Sequence, residues 1–380
     1  MTGRERLLCI LQGEIPDRVP VSFLVQEAFL SYFYPEKHEV DRVKDAVECA
    51  KEFGFEVMTR GREVETPYFL KKSYPNWEVN LERKIADGNL YQIAEVSTPK
   101  GILREVKGSA YDPRLGSGVH LMTTEYLIKD EKDLEIFYTY LPQIDSDTIK
   151  EIRSYASYTK KVVGETGISA PWGWAGVFNQ AATYRKMEDL LMDAYLDRDF
   201  YERFMNILTE KQILYNKVLA DTEYDCIGIG GNIANSSIVG KEFFNEFILP
   251  YEKRLISSIK DTGKYTLYHN CGNAKVLQQS YVHMGIDIWE NIAKPPRGDN
   301  CLKETKELIG DKIILMGNID LVDFLRKSSP DEVAKEVAQI IAVGKPGGKF
   351  IFSGNDCLEP DTPAENIKKA VEVAVREGKY

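Results

Sequence analysis

Short apolar runs rich in β-branched and aromatic residues recur along the chain, separated by stretches in which apolar residues return every three or four positions. Eight runs read as strands: residues 18–23 (RVPVSF), 55–60 (FEVMTR), 161–166 (KVVGET), 226–231 (CIGIGG), 265–270 (YTLYHN), 286–291 (IDIWEN), 313–318 (IILMGN) and 349–355 (KFIFSGN). Helical periodicity follows nearly every one, as at 241–262, 331–343 and 362–377. This alternation predicts an α/β chain closed into a parallel (β/α)8 TIM barrel. An open doubly wound sheet is the competing arrangement. It would carry a glycine-rich phosphate loop after an early strand, and no G-x-G-x-x-G or P-loop pattern follows any of the eight runs.

Residues 64–130 break the alternation. Short alternating runs such as LYQIAEVS and ILREVKG, punctuated by Gly, Pro and Asn, predict a β-rich insertion between strands 2 and 3. The insertion follows the C-terminal end of a strand, so it is expected to lie over the barrel mouth. Residues 1–380 are otherwise expected to form a single domain, without internal repeats.

Barrel enzymes carry their chemistry at the C-terminal ends of their strands. Here the fifth strand ends in His269, Asn270 and Cys271, the sixth in Glu290 and Asn291, and the eighth in Asn355, Asp356 and Cys357. In extended chain, residues i and i+2 point the same way, so one metal beside the strand end could meet both His269 and Cys271. Cys357, from another strand end on the same rim, would supply a third donor. Two thiolates and one imidazole suit Zn²⁺, and three protein ligands leave a fourth position for substrate. The bland alternative is that these cysteines are small buried hydrophobes. Glu290 is read as a candidate catalytic carboxylate, either a weak fourth ligand or a group that orients substrate. Asn355 and Asp356 read as partners of the ligands or as loop formers. Trp172, Trp174 and Trp289 lie near strand ends and are expected to line an apolar substrate pocket, with core packing as the alternative. Cys9, Cys49, Cys226 and Cys301, and His38, His120 and His283, read as structural.

Composition narrows the partners. The chain carries 49 Lys+Arg against 59 Asp+Glu, a net charge of −10, which argues against a nucleic-acid binder. No run approaches the ~18 apolar residues of a membrane span, and the charged N-terminus lacks a signal-peptide pattern. A cytoplasmic location, away from membranes, is expected. Six cysteines scattered over 380 residues fit free thiols or metal ligands better than a disulfide framework.

Several stretches resemble the uroporphyrinogen decarboxylase superfamily. They are the opening Arg4-Glu5-Arg6 with Pro16-Asp17-Arg18-Val19-Pro20, the helix entry from Glu242 to Tyr251, Met316-Gly317-Asn318-Ile319-Asp320, and Asp361-Thr362-Pro363-Ala364-Glu365-Asn366. The resemblance implies the (β/α)8 fold and two possible chemistries. One branch decarboxylates uroporphyrinogen without a cofactor. The other moves methyl groups to or from the cobalt of a corrinoid protein, with zinc on a His-x-Cys pair and a later Cys. His269, Cys271 and Cys357 match the second pattern. The arginine-rich segment that the first branch carries near strand 1 is replaced here by Phe23-Leu24-Val25-Gln26-Glu27-Ala28-Phe29, which has no arginine. The last cysteine also departs from the Gly-Cys-Gly turn of the thiol-methylating members. The resemblance therefore implies a zinc-dependent methyltransferase acting on a small methyl donor or acceptor. Its corrinoid is expected on a separate partner protein, because no corrinoid-binding segment is evident in the chain.

Overall fold

The computed structural model describes residues 1–37, 39–61, 68–112, 117–118, 121–173 and 175–380. The strands, in chain order, are β1 (Val57–Thr59), β2 (Glu78–Ala86), β3 (Asn89–Thr98), β4 (Gly101–Asp112), β5 (Ser117–Gly118) and β6 (Met122–Glu125). They continue as β7 (Gly167–Ser169), β8 (Cys226–Gly230), β9 (Tyr265–His269), β10 (Ile288–Glu290), β11 (Ile314–Ile319) and β12 (Phe350–Gly354). Helices separate the parallel strands, which makes this an α/β fold. Among the described residues no helix is long and apolar enough to cross a membrane.

Strands β8 to β12 form one parallel sheet in sequence order, and β1 pairs with β7 in parallel. Backbone contacts join these two groups at both ends. Gly228 donates to Pro171 O at 2.9 Å and Gly173 donates to Gly228 O at 2.8 Å, linking the continuation of β7 to β8. Ser22 donates to Phe352 O at 2.9 Å and Phe352 to Pro20 O at 2.8 Å, tying residues 20–22 to β12. Glu56 donates to Val21 O at 2.8 Å and links the same segment to β1. Each of the eight parallel segments thus has a neighbour on both sides.

Two expectations about strands need correction. Residues 161–166 are not a strand. Buried Ile152, Ala156, Thr159 and Val163 continue a helical spacing, so the helix Ser146–Val163 runs through the valines and ends at Gly164. The strand begins just after it, at Gly167. No side chain fits there, because a Cβ on Gly167 would lie 1.8 Å from Val57 O. Residues 18–23 form isolated bridges and not a regular strand. Pro20, within that run, lacks the N–H that a continuous ladder needs.

Between β1 and β7 in sequence lies an antiparallel sheet, β2-β3-β4, with β5 and β6 both paired to β4. Asp87 and Gly88, both at positive φ (51° and 73°), make the tight turn between β2 and β3. This is the region expected to be β-rich. Residues 62–67, 113–116 and 119–120 of that region lie outside the described residues.

The core has two layers. Inward-facing Met58, Ile168, Ala170, Cys226, Leu267, Ile288, Ile314, Met316 and Ile351 pack with Leu7, Ile10 and Leu11 of the N-terminal helix Gly3–Leu11. The other strand faces pack against the surrounding helices. Ion pairs fix the N-terminal helix at the strand starts. Arg4 holds Asp225 at 2.5 Å, and Arg6 holds Glu56 and Asp17, each at 2.6 Å. That end of the parallel segments is closed, and the C-terminal ends are left for chemistry. Ile10 is fully buried, so Ile10→Ala should lose about 2–5 kcal/mol. A urea-unfolding midpoint equal to that of the parent would show that this helix does not fill the inner core.

Candidate functional site

Alternation along β9 puts Tyr265, Leu267 and His269 on one face. In the ladder His269 stands between Gly230 on β8 and Glu290 on β10. Those two neighbours have opposite effects. A Cβ on Gly230 would touch nothing within 4 Å, so the space on that side of the ring is open. On the other side Glu290 is fully buried, and its Oε2 lies 2.9 Å from His269 Nδ1. Asn291 adopts the left-handed conformation (φ 68°), which asparagine tolerates, and its carboxamide nitrogen lies 3.4 Å from the same Nδ1.

The second oxygen of Glu290 accepts from Arg60 Nη2 at 2.5 Å. Arg60 follows β1; it is buried, and its Nη1 also donates to Met58 O at 3.2 Å. Its guanidinium lies over the Trp172 ring at 5.5 Å, and Trp172 meets the His269 ring edge-on at 5.4 Å. Gly228 makes room for that indole: a Cβ there would lie 2.9 Å from it. Arg60 and Trp172, with Val25, Gln26, Glu27, Arg42 and Gly61, line a cleft of 240 Å³. A larger cavity of 310 Å³ lies against β2, β3 and β4 and shares none of these lining residues.

Cys271 follows β9, and its side chain interacts with the His269 ring. Asn270 builds the turn between them. Its amide donates to Tyr281 Oη at 2.7 Å, and its Oδ1 accepts from Gly272 N–H at 3.1 Å. Cys357 lies beyond β12, bridged to Leu24, and its N–H donates to Asp356 Oδ1 at 2.8 Å. Burial, with the charges of Asp356 and Glu359, pushes its thiol up to about 12. Among the described residues no three or more His, Cys, Asp or Glu stand close enough together to hold a metal ion. His269 and Cys271 are brought together; Cys357 is not gathered with them.

The remaining expected site residues divide. Trp172 is at the site. Trp289 is fully buried and packs on Tyr281 at 5.1 Å, in the layer between strands and helices. Trp174, His38 and His120 lie outside the described residues. Asn355 accepts from Leu321 N–H at 3.1 Å and so shapes the loop. His283 sits in the last turn of the helix Gln278–Met284. Arg60 was not anticipated as a site residue. Its one signal in the sequence was a charge closing a short strand.

Electrostatics follow from this packing. Burial pushes the Glu290 carboxyl up, but the charge of Arg60 and the hydrogen bond from His269 outweigh it and bring it down to about 2. Burial likewise opposes a charged His269. Its hydrogen bonds with Cys271 and Glu290 outweigh that and push the ring up to about 10.

The profile of the family described as uroporphyrinogen decarboxylase (URO-D) matches residues 124–377, about two thirds of the chain, so the opening residues 4–20 lie outside the matched stretch. Methylcobamide:CoM methyltransferase MtbA of Methanosarcina acetivorans is 25% identical over 174 residues, 45% of this chain and 47% of that protein. Uroporphyrinogen decarboxylase of Rickettsia felis is 25% identical over 224 residues, 58% of this chain and 61% of that protein. The chain therefore spans about half the length of the curated methyltransferases it matches. A solved methyltransferase from Methanosarcina mazei aligns over 98% of both chains with a TM-score of 0.66 at 18% identity, which shows a shared fold.

The His269–Glu290 pair makes stability depend on pH in the metal-free chain. His269, raised above the ordinary 6.5, contributes stability that is full below that pH and fades as pH rises. Glu290, lowered from 4.5, contributes stability that is full above that pH and fades as pH falls. Thermal midpoints of chelated protein, measured from about pH 3 to about pH 9, should differ from those of Glu290→Gln most between 4.5 and 6.5. A difference that is constant with pH would remove the pair as a source of stability.

Proposed function

The chain belongs to the uroporphyrinogen decarboxylase (URO-D) family, and from that premise we propose that it is a zinc-dependent methyltransferase. It moves a methyl group between a small substrate and the cobalt of a corrinoid protein. The observation that carries this reading is His269 beside Cys271 at the end of β9, with the imidazole oriented by Glu290. Relatives named methylcobamide:CoM methyltransferase support the same direction.

The donor chemistry fits zinc. A buried imidazole beside a thiol is the start of a borderline-soft site; Cys357 would have to move to complete it, since it is not gathered with them in this structure. Bound zinc supplies a Lewis acid to the substrate heteroatom, whether a thiol that accepts methyl or an ether or amine that gives it up. The protein's own groups do the rest. Glu290 fixes the orientation of His269. Trp172 covers one edge of the imidazole and keeps water from it. Gly230 leaves space beside the ring. We read the eight linked segments as a (β/α)8 barrel in a single domain, and the antiparallel sheet as an insertion near its mouth. The ring of backbone contacts and the shared fold with the solved methyltransferase support this.

A second reading, a porphyrinogen decarboxylase, draws on relatives of that name. A substrate with many carboxylates needs unpaired cations to meet it. At the described cleft, Arg60 is committed to Glu290 and Arg42 to Glu27, which favours the methyltransferase.

Purified protein should carry about one zinc per chain, and Cys271→Ala and Cys357→Ala should lose most of it. Mixed with a corrinoid protein and the right substrate, it should interconvert methyl-Co(III) and Co(I) in the visible spectrum. The change should vanish on chelation and return with zinc. Metal-free release of CO2 from uroporphyrinogen would establish the second reading instead.

A further inference from the structure

We propose that the outer edge of β2 is where two copies of this chain join, the strand pairing antiparallel with itself about a two-fold axis at Arg83. Among the described residues β2 is the outermost strand of the antiparallel sheet: β3 covers one of its edges and no strand covers the other. Every residue from Asn80 to Ile85 is exposed. Leu81 and Ile85 leave 56% and 52% of their surface to solvent. An open edge of this length is a template for another strand unless something blocks it.

Backbone parity decides what the edge offers. The two-residue turn at Asp87 and Gly88 closes on the Ala86–Asn89 pair, which exchanges both hydrogen bonds in such a hairpin. Counting back in twos, the even-numbered residues of β2 bond to β3, and the odd-numbered ones turn their N–H and C=O outward. Ser73 agrees with this. Its Oγ accepts from Val79 N–H at 2.9 Å and donates to Val79 O at 3.5 Å, which covers that end of the edge. Leu81, Arg83 and Ile85 lie beyond it, and Arg83 is their midpoint. Two strands laid antiparallel about Arg83 set Leu81 of each copy against Ile85 of the other. Backbone bonds form there while the exposed apolar side chains cover each other. Between those rungs Glu82 of each copy meets Lys84 of the other, in the close, non-hydrogen-bonded positions. Neither Glu82 nor Lys84 has an ion-pair partner among the described residues. The run Leu81-Glu82-Arg83-Lys84-Ile85 is thus complementary to its own reverse, which identifies the occupant as a second copy. Other registers fail. Centring on Glu82 or Lys84 sets like charges opposite each other. Centring on Leu81 sets Arg83 against the Val79 edge that Ser73 covers, and centring on Ile85 runs into the turn. The cost of the favoured register is Arg83 opposite its own copy, on a strand open to water where long side chains can part.

The test uses the full chain. A contact confined to one strand edge is small and weak, so sedimentation equilibrium from roughly 1 to 300 µM should show a reversible monomer–dimer equilibrium. Leu81→Pro removes an N–H that points away from β3, so the sheet should survive while dimerisation is lost. Glu82→Lys and Lys84→Glu should each weaken the dimer by about tenfold. The double variant, which exchanges the two charges, should return to within about threefold of the parent. Circular dichroism separates a folding failure from a lost contact. If Leu81→Pro unfolds, the charge exchange alone decides, since both side chains are exposed. A chain that stays monomeric at the highest concentration overturns the proposal. So does a dimer that the single charge reversals leave intact, or one that the double variant fails to restore.

Discussion

A carboxylate with no access to solvent organises this molecule. Glu290 is fully buried, and an ionised carboxylate taken out of water is tolerated only when paired and hydrogen-bonded. Its partners come from far apart in the chain: Arg60 lies 230 positions before it and His269 lies 21 before it. The fold must bring the ends of β1, β9 and β10 to one place, or the charge is stranded. Breaking such a pair typically costs about 3–5 kcal/mol. The site and the stability of the scaffold are therefore coupled through the same three side chains.

Below that charged level the inward-facing side chains are almost wholly apolar, from Met58 through Leu267, Ile288 and Met316 to Ile351. This floor lowers the local dielectric, which strengthens the pairing above it and raises the cost of leaving any of it unpaired. Glycines set the shape of the remaining space. Gly228 admits the Trp172 indole, and Gly230, two residues on, leaves the flank of His269 empty. One face of a single strand thus places an aromatic wall and opens a void beside it.

How much of this was legible in the sequence depended on periodicity. The five parallel strands β8 to β12 and the His-x-Cys turn follow from alternation and position, and they fell close to where the pattern put them. Valines 162 and 163 belonged to a helix because the wider spacing of Ile152, Ala156 and Thr159 outweighed their β-branched character. The parity of β10 also held information: adjacent Trp289 and Glu290 cannot face the same way, and with Glu290 inward the indole joins the helix layer. Arg60 was hidden because a terminal arginine on a short strand looks like a solvent-facing end. Its partner is on another strand, and no local pattern records that. Cys357 shows the opposite limit. Its place on the rim was legible, but its grouping with His269 and Cys271 depends on loop geometry that spacing does not encode.

One scaffold hosting both a decarboxylase and methyltransferases then has a physical explanation. The N-terminal helix closes one end with apolar side chains and ion pairs, so that end is occupied by stability. At the other end, reaction type turns on what the rim charges are bound to. Free arginines would hold a polycarboxylate, whereas here the buried arginine is occupied by Glu290, and Glu290 in turn holds the imidazole. Committing both charges to each other removes them as anchors for an anionic substrate. It leaves the His269–Cys271 pair beside open space, which is what the proposed metal-assisted chemistry on a small substrate would require.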